Sequence, residues 1–509
     1  MPDCVTSAKP WVLAVTILGS AMAYIDESVV NVALPAIEKD LGTSVAVIQW
    51  LVNAYTLSLS AFLLIGGAAG DQFGRRRVFV IGAGIFAAAS LWCGLSPSAT
   101  QLLLARAAQG IGAALLIPCS LAILGASFDE TERGRAIGTW AGFSAIAAAI
   151  GPLLGGFIVD HATWRWIFLI NPVIALPTIL LGMRHVIESR DPEASPNLDW
   201  RGAALAFLGL GSAVFGLIAW PDRGLRDPIV ITSLAAGLLL LAAFVWEERR
   251  SRAPMMPLAL FRSPIFAGVN LLTLLLYAAL GAAFFFLPFA LIQVHGYSAT
   301  LAGAVFLPFT AIMGGLSRWS GGLLDRYGAR PPLIIGPAIA AAGFALLASL
   351  GATGPYWTTF FLPIAVLGLG MAVTAAPLTA SVINAVPVRQ AGVASGINNA
   401  VASVANLLAV AILGAIALAA FNHALDHHAA AQPMSPAVMH ALEAARGKFV
   451  TDHGLAILQG EDRALAESLI RQSLAESIRL VMWLAAALAL SGAACAALTI
   501  RPDSAPPKA

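Results

Sequence analysis

Charge is what this chain has least of. Of 509 residues only 11% are Asp, Glu, Lys or Arg, 59% are hydrophobic, and the mean hydropathy is +0.83. Soluble globular domains carry about 25% charged residues over about 45–50% apolar ones. A soluble fold built from this composition has no polar coat for its core. That excludes a water-soluble enzyme, a nucleic-acid binder and a disordered chain, and leaves the lipid bilayer as the solvent. Cysteine is scarce too. Cys93, Cys119 and Cys495 lie inside apolar runs and Cys4 in the short tail, so the four are no disulfide framework. Also missing are a Gly-rich nucleotide loop, a His-Glu metal set and a nucleophile constellation, which leaves an ATP-driven pump or a metal centre without support.

What the chain has in abundance is long apolar runs. A helix needs about 20 apolar residues to cross about 30 Å of hydrocarbon. Fourteen such runs occur, near 11–34, 48–69, 78–95, 101–124, 135–159, 166–187, 202–220, 229–246, 265–293, 300–324, 332–350, 357–383, 394–421 and 478–500. The expected class is an all-α integral membrane protein. The first run contains Asp26, Glu27 and Asn31, has only Lys9 ahead of it and lacks a clear cleavage site, so it is not a cleavable signal. An even count puts both termini on one side. The loops and tails on that side hold eighteen Lys and Arg residues, among them Arg75, Arg76, Arg77, Arg326 and Arg330. The opposite short loops hold four: Lys39, Arg165, Arg223 and Arg226. Both termini are therefore expected in the cytoplasm. The long loop 422–477 is then extracytoplasmic. It reads as a helical hairpin, with an amphipathic stretch over 437–450 and another over 461–479 running into the last span. His423 and His427 within it have the i,i+4 spacing of metal ligands. The reading preferred is a solvated, polar helix extension, and no metal is expected.

One loop occurs twice. Gly67, Asp71 and Gly74, then Arg75 and Arg76, follow the second run; Gly321, Asp325, Arg326, Gly328 and Arg330 follow the tenth, 254 residues later (321 minus 67). A tight turn needs glycine for positive φ, Asp as a cap and Arg as a topology anchor. Two copies at equivalent places favour a gate. That spacing accommodates six helices plus an inserted pair. The expected organisation is a six-helix bundle over 1–190, two inserted helices with linkers over 191–262, and a second six-helix bundle over 263–509.

Ionisable residues inside hydrocarbon are expensive and are functional candidates. Asp26 lies about fifteen residues from the cytoplasmic edge, roughly 22 Å deep at 1.5 Å per residue. Arg106, on the fourth run, lies about six residues from the outer edge, roughly 9 Å in, so in a core of about 30 Å the two are level. Asp26, Arg106 and Glu27 are the candidate proton-coupling set; a static ion pair fixing two helices is the bland alternative. Arg318 sits near a helix end, where it snorkels. Gln109, Gly110 and Gly112 follow Arg106. Gly151, Pro152, Gly155 and Gly156 combine close backbone approach with a missing hydrogen bond. Asn31, Asn53, Tyr55, Asn398 and Asn399 are the polar candidates for a central cavity.

In these residues the chain resembles the major facilitator superfamily (MFS), and within it the fourteen-helix drug:proton antiporter family. Asp26–Pro35 resembles that family's first-helix motif, and Gly67–Arg77 the superfamily's cytoplasmic loop. Leu102–Gly112 is similar to the fourth-helix motif linked to proton transfer, Gly151–Gly156 to the fifth-helix antiporter motif, and Trp164–Pro172 to a stretch of the fourteen-helix branch. The resemblance implies alternating access by two six-helix bundles, with proton influx driving export of small amphipathic compounds and no cofactor. It implies a multi-pass protein of the cell membrane, of the bacterial inner type, whose partners are a small-molecule substrate, protons and lipid. A membrane-fusion partner or a dimer is left open. Some family members carry further acids in the tenth and thirteenth helices; here those runs have none. The competing readings are a transporter dedicated to one metabolite and, from another class, a membrane-embedded enzyme or receptor. The latter needs convergent reactive groups at one face, which the sequence does not offer.

Overall fold

The computed structural model describes residues 3–191, 197–251, 253–349, 356–387, 390–430, 434–449, 455 and 458–500. Among them every regular element is helical. The membrane-crossing helices are α1 (Asp3–Leu41), α2 (Val45–Phe73), α3 (Arg75–Leu95), α4 (Ala99–Ser127), α5 (Glu130–His161), α6 (Trp166–His185), α7 (Trp200–Arg223), α8 (Pro228–Arg250) and α9 (Pro264–Phe289). There follow α10 (Ala299–Ala304), α11 (Leu307–Tyr327), α12 (Arg330–Ser349), α13 (Leu362–Asn384), α14 (Ala391–Ala430), a short α15 (Pro436–Ala445) and α16 (Gly460–Thr499). Among the described residues fourteen spans are long and apolar enough to cross a bilayer. The chain is a multi-pass membrane protein.

Two boundaries differ from the sequence reading. The run 300–324 is not one helix. It breaks at 305–306, where Pro308 lacks the N–H that would bind the Ala304 carbonyl, and the chain restarts as α11. The long loop is mostly helix: α14 and α16 are each 40 residues long and project beyond the bilayer, and α15 lies between them. The amphipathic segment expected over 437–450 stops at Ala445, before Gly447, whose φ of +74° a helix cannot use. His423, His427 and His428 ride on the end of α14, and His428 Nε2 meets Glu476 at 3.2 Å.

Helix packing separates the chain into two groups. α1 packs on α4, α5 and α6, α2 on α4, and α3 on α4 and α6; α9 packs on α14 and α16, and α12 on α13 and α16. The groups meet where α2 lies along α14 and where α5 meets α10 and α11. At that second seam Gly156 faces the Ala299 carbonyl so closely that a Cβ would sit 2.1 Å from it, and Gly303 faces the Pro152 carbonyl at the same virtual distance. Asp160, at the end of α5, accepts hydrogen bonds from the N–H groups of Ala299 (3.1 Å) and Thr300 (2.7 Å), capping α10 across the seam. α7 and α8 pair through Gly209, Gly216 and Gly237, and α7 touches both α2 and α14. Leu57, Leu210, Val214, Ile218, Leu407 and Ala411 form one apolar cluster there. α7 and α8 therefore sit on the seam between the groups, with α8 turning Leu238 and Leu239 outward.

Beyond the bilayer, on the side opposite the arginine-rich loops, the segment after α15 crosses between the groups. Val45 N donates to Gly447 O at 2.9 Å, and Phe449 N donates to the buried Glu38 at 3.0 Å. The Phe449 ring is buried against Phe286, Phe289 and Phe421.

Candidate functional site

Asp26 of α1 and Arg106 of α4 form a buried ion pair. Arg106 Nη1 lies 2.5 Å from Asp26 Oδ2, with the two side chains 2% and 0% exposed. Their burial follows from the helices that carry them. α1 is flanked on several sides, and α4 brings small residues, Gly110 and Gly112, against the Tyr55 carbonyl and the Phe86 backbone. Such close approach buries Arg106 between α1 and α2. Its Nε donates to the Leu51 carbonyl at 3.3 Å, and its guanidinium lies 4.4 Å from the Tyr55 ring centre and 5.7 Å from that of Phe168. A buried ion pair repays its desolvation only when the remaining donors and acceptors are satisfied. Here they are. Asp26 Oδ1 accepts from Gln109 Nε2 and Asn171 Nδ2, each at 2.8 Å. Gln109 Oε1 accepts from Arg106 at 2.7 Å, and Ser90 Oγ accepts from both amides. Four helices thus converge on one carboxylate: α3 with Ser90, α4 with Arg106 and Gln109, α6 with Asn171, and α1 itself.

Glu27 is not part of that ring. It is half-buried, on the face of α1 that also carries Tyr24 and Asn31, and Asn31 Nδ2 reaches the Glu27 carbonyl at 3.4 Å. Of the cavity candidates, Tyr55 is a platform under Arg106, only 1% exposed. Asn53 is fully buried on α2, and neither of its amide atoms has a hydrogen-bond partner. Asn398 is buried in a different cluster, donating to Asn270 Oδ1 (3.1 Å) and Thr273 Oγ1 (2.8 Å), while Asn399 is exposed. Gly151 and Gly155 face Ser28 and Val29 of α1, and Gly156 faces α10. This motif is a packing surface on two sides of a continuous α5, with Pro152 inside the helix.

The first repeated loop is a clasp. Gly67 has room for a side chain, its nearest neighbour being Pro118. Asp71 pairs with Arg75 at 2.7 Å. Gly74 has φ +113°, and a Cβ there would meet the Glu188 carboxylate at 2.7 Å, so both backbone and space demand glycine. Glu188, on the strand of chain leaving α6, accepts from the Arg76 N–H at 3.0 Å and faces the Arg76 and Arg77 guanidinium groups at 3.7 Å. Arg75 N donates to Ser189 O, and Asp191 N to Asp71 O. Glu188 was invisible to sequence reasoning, because nothing in the linker's spacing says which loop it meets. In the second loop Gly328 has φ +75°, Arg330 donates to the Ala497 carbonyl at 3.1 Å, and Arg326 lies over Tyr327. The side chains of Asp325 and Arg318 lie outside the described residues.

This arrangement of two helix groups, a buried carboxylate and paired loops can be set against known proteins. A sequence model described as the Major Facilitator Superfamily matches residues 16–410. The chain belongs to that superfamily. Among its MFS relatives is the tetracenomycin C resistance and export protein of Streptomyces glaucescens, 35% identical over 80% of this chain and 76% of that one. The puromycin resistance protein of Streptomyces alboniger is 36% identical over 82% and 84%. Multidrug resistance protein Stp of Mycobacterium tuberculosis is 34% identical over 84% and 80%. Of solved MFS structures, an inward-facing, occupied bacterial homologue of the human lysosomal transporter Spinster superposes with a TM-score of 0.67 at 16% identity, covering 97% of both chains. The fold is that of MFS transporters, and the chain is an MFS efflux transporter of the drug-resistance and export type.

Proposed function

We propose that export is driven by proton antiport and that Asp26 is the proton carrier. The observation that carries this reading is the buried Asp26–Arg106 pair, where four helices of a single group hold an ionisable carboxyl away from solvent. Burial disfavours the charged carboxyl while the guanidinium favours it. Separating α1 from α4 by a small movement lets the first effect win, and the carboxyl takes up a proton. Closing them expels it. Glu27, beside Asp26 in α1 and outside its hydrogen-bonded ring, is the second acid of this coupling region. No cofactor takes part.

The substrate in this reading is a small amphipathic compound, in keeping with relatives named for resistance to tetracenomycin C and puromycin. Asn53 and Asn31 supply polar points on an otherwise apolar path. The arginine-rich side is cytoplasmic, with both termini, and the setting is the cell membrane. The clasps at Asp71 and Gly328 then gate the cytoplasmic side. Residues 191–262 are an insert on a twelve-helix plan whose two bundles occupy 1–190 and 263–509.

Purified protein in liposomes loaded with a fluorescent cationic dye tests the coupling. An imposed proton gradient should drive dye movement that an uncoupler abolishes. Asp26→Asn, which keeps the shape and removes the ionisable site, should insert normally and lose all gradient-driven movement. Full uncoupler-sensitive movement by that variant at matched reconstitution rejects Asp26 as carrier.

A further inference from the structure

Asn171 stands one residue before Pro172 in α6. Proline has no N–H, so the carbonyl of Phe168, four residues earlier, loses its helical donor. The Ser90 hydroxyl takes that place, donating to Phe168 O at 2.9 Å. Its single proton is thereby committed. What Ser90 presents to the site is lone pairs, which accept from Gln109 Nε2 at 3.1 Å and Asn171 Nδ2 at 2.9 Å. Around Asp26, then, the polar neighbours are all donors: Arg106 on Oδ2, Gln109 and Asn171 on Oδ1. That ring suits a carboxylate. It offers a protonated carboxyl no acceptor for its O–H.

The two amides differ in how they are held. Gln109 Oε1 accepts from Arg106 Nη1 at 2.7 Å and faces the Cys93 thiol at 3.7 Å, so Gln109 is fixed at both ends. Asn171 is fixed at one. Its Oδ1 is buried and has no hydrogen-bond partner, although the residue is fully enclosed. Buried acceptors without donors are rare because desolvation is then uncompensated. A half-turn about the Cβ–Cγ bond exchanges Oδ1 and Nδ2; it breaks no hydrogen bond at Oδ1 and gives up the one from Nδ2 to Ser90 Oγ. After that turn the amide oxygen points at Asp26.

We propose that Asn171 is a positioning residue that follows the protonation of Asp26: its carboxamide donates to the carboxylate in the conformation described here and, turned over, accepts from the carboxyl. The inference rests on Asp26 as the proton carrier. The proton stays on a carboxyl oxygen throughout; only hydrogen bonds change. Ser90 keeps the Gln109 donor in either orientation. The Pro172 site thus serves the coupling region indirectly, by holding Ser90 in the accepting role.

The test is the pH profile of gradient-driven dye movement by the full chain in liposomes. Asn171→Leu removes a donor from the carboxylate, and a carboxylate that has lost a donor takes its proton more readily, so half-maximal transport should move by about one pH unit toward alkaline. Asn171→Thr supplies a hydroxyl that donates or accepts by simple rotation, and should return the profile to near the wild-type position. A leucine profile that superposes on the wild type, or a threonine profile displaced as far as the leucine one, overturns the role of Asn171. If the leucine variant does not insert, infrared difference spectra decide. On acidification the wild type should show a shifted asparagine amide band that both Asn171→Thr and Asp26→Asn lack, and its absence in the wild type overturns the proposal. Uncoupler-sensitive transport by Asp26→Asn defeats the carrier reading itself. A transporter that depends on Asp26 but ignores Asn171→Leu defeats only this inference.

Discussion

The two halves of the molecule each bury a polar cluster between helices, and only one of them is charged. In the first half an acid and a base sit 2.5 Å apart inside a ring of amides and a hydroxyl. In the second, Asn398 of α14 bonds Asn270 and Thr273 of α9, and the cluster is neutral. A neutral cluster ties two helices together and keeps its charge whatever the pH. A charged one couples helix position to protonation, because the free energy of a buried carboxylate depends on every donor around it. On the reading proposed above, coupling belongs to the first half and plain adhesion to the second. The repeated loops show a similar asymmetry. The first is sealed by Glu188 from the α6–α7 linker, whereas the second is tied to the end of α16 through Arg330 and the Ala497 carbonyl.

The strongest way to break this contrast is to remove one member of the charged pair. Arg106→Leu leaves a buried carboxylate without its counter-charge, a loss of about 3–5 kcal/mol in comparable cases. Thermal unfolding in detergent should show a large drop, and Asp26→Asn combined with Arg106→Leu should recover most of it. A double variant no more stable than Arg106→Leu alone would mean that the pair is not the dominant electrostatic contact.

A smaller effect is expected at the clasp. Asp71→Asn and Glu188→Gln each weaken it from one side, so both should slow transport several-fold while equilibrium binding of dye stays within a few-fold. The clasp is far from Asp26, about half a bilayer away, and cannot touch a central ligand. Stopped-flow transport and binding titrations on the same preparations separate the two readouts. Loss of binding without a change in rate would remove the gate from the account.

The smallest effect belongs to the neutral cluster. Asn398→Leu deletes two hydrogen bonds and should cost about 1–3 kcal/mol of stability, with the pH profile of transport unmoved. If that profile shifts, coupling is shared between the halves and the contrast drawn above is wrong.

Much of the design was legible one residue at a time. Lipid admits few solutions, so apolar run length alone indicated helices and their number. Depth could be counted along each run, which put Asp26 and Arg106 at one level. Adjacency could not be counted. Ser90 and Asn171 lie on α3 and α6, and nothing in their spacing says that those helices meet around α1. The break before Pro308 lies inside an otherwise continuous apolar run, where hydropathy alone does not mark it. The strap through Gly447 and Phe449 joins residues some four hundred positions apart, which no local pattern encodes.

By itself, then, the sequence determined the solvent, the spans and the short list of costly polar groups, because each depends on composition and on the 1.5 Å rise of a helix. Tertiary structure decided which of those groups act on one another. It made Tyr55 a platform for Arg106, turned Gly151–Gly156 into a packing surface, and gave Asp26 two amide donors from different helices. The physical reason is range. Hydrophobic burial is read residue by residue, while a hydrogen bond is made or lost within about 3 Å, a distance that only helix packing sets.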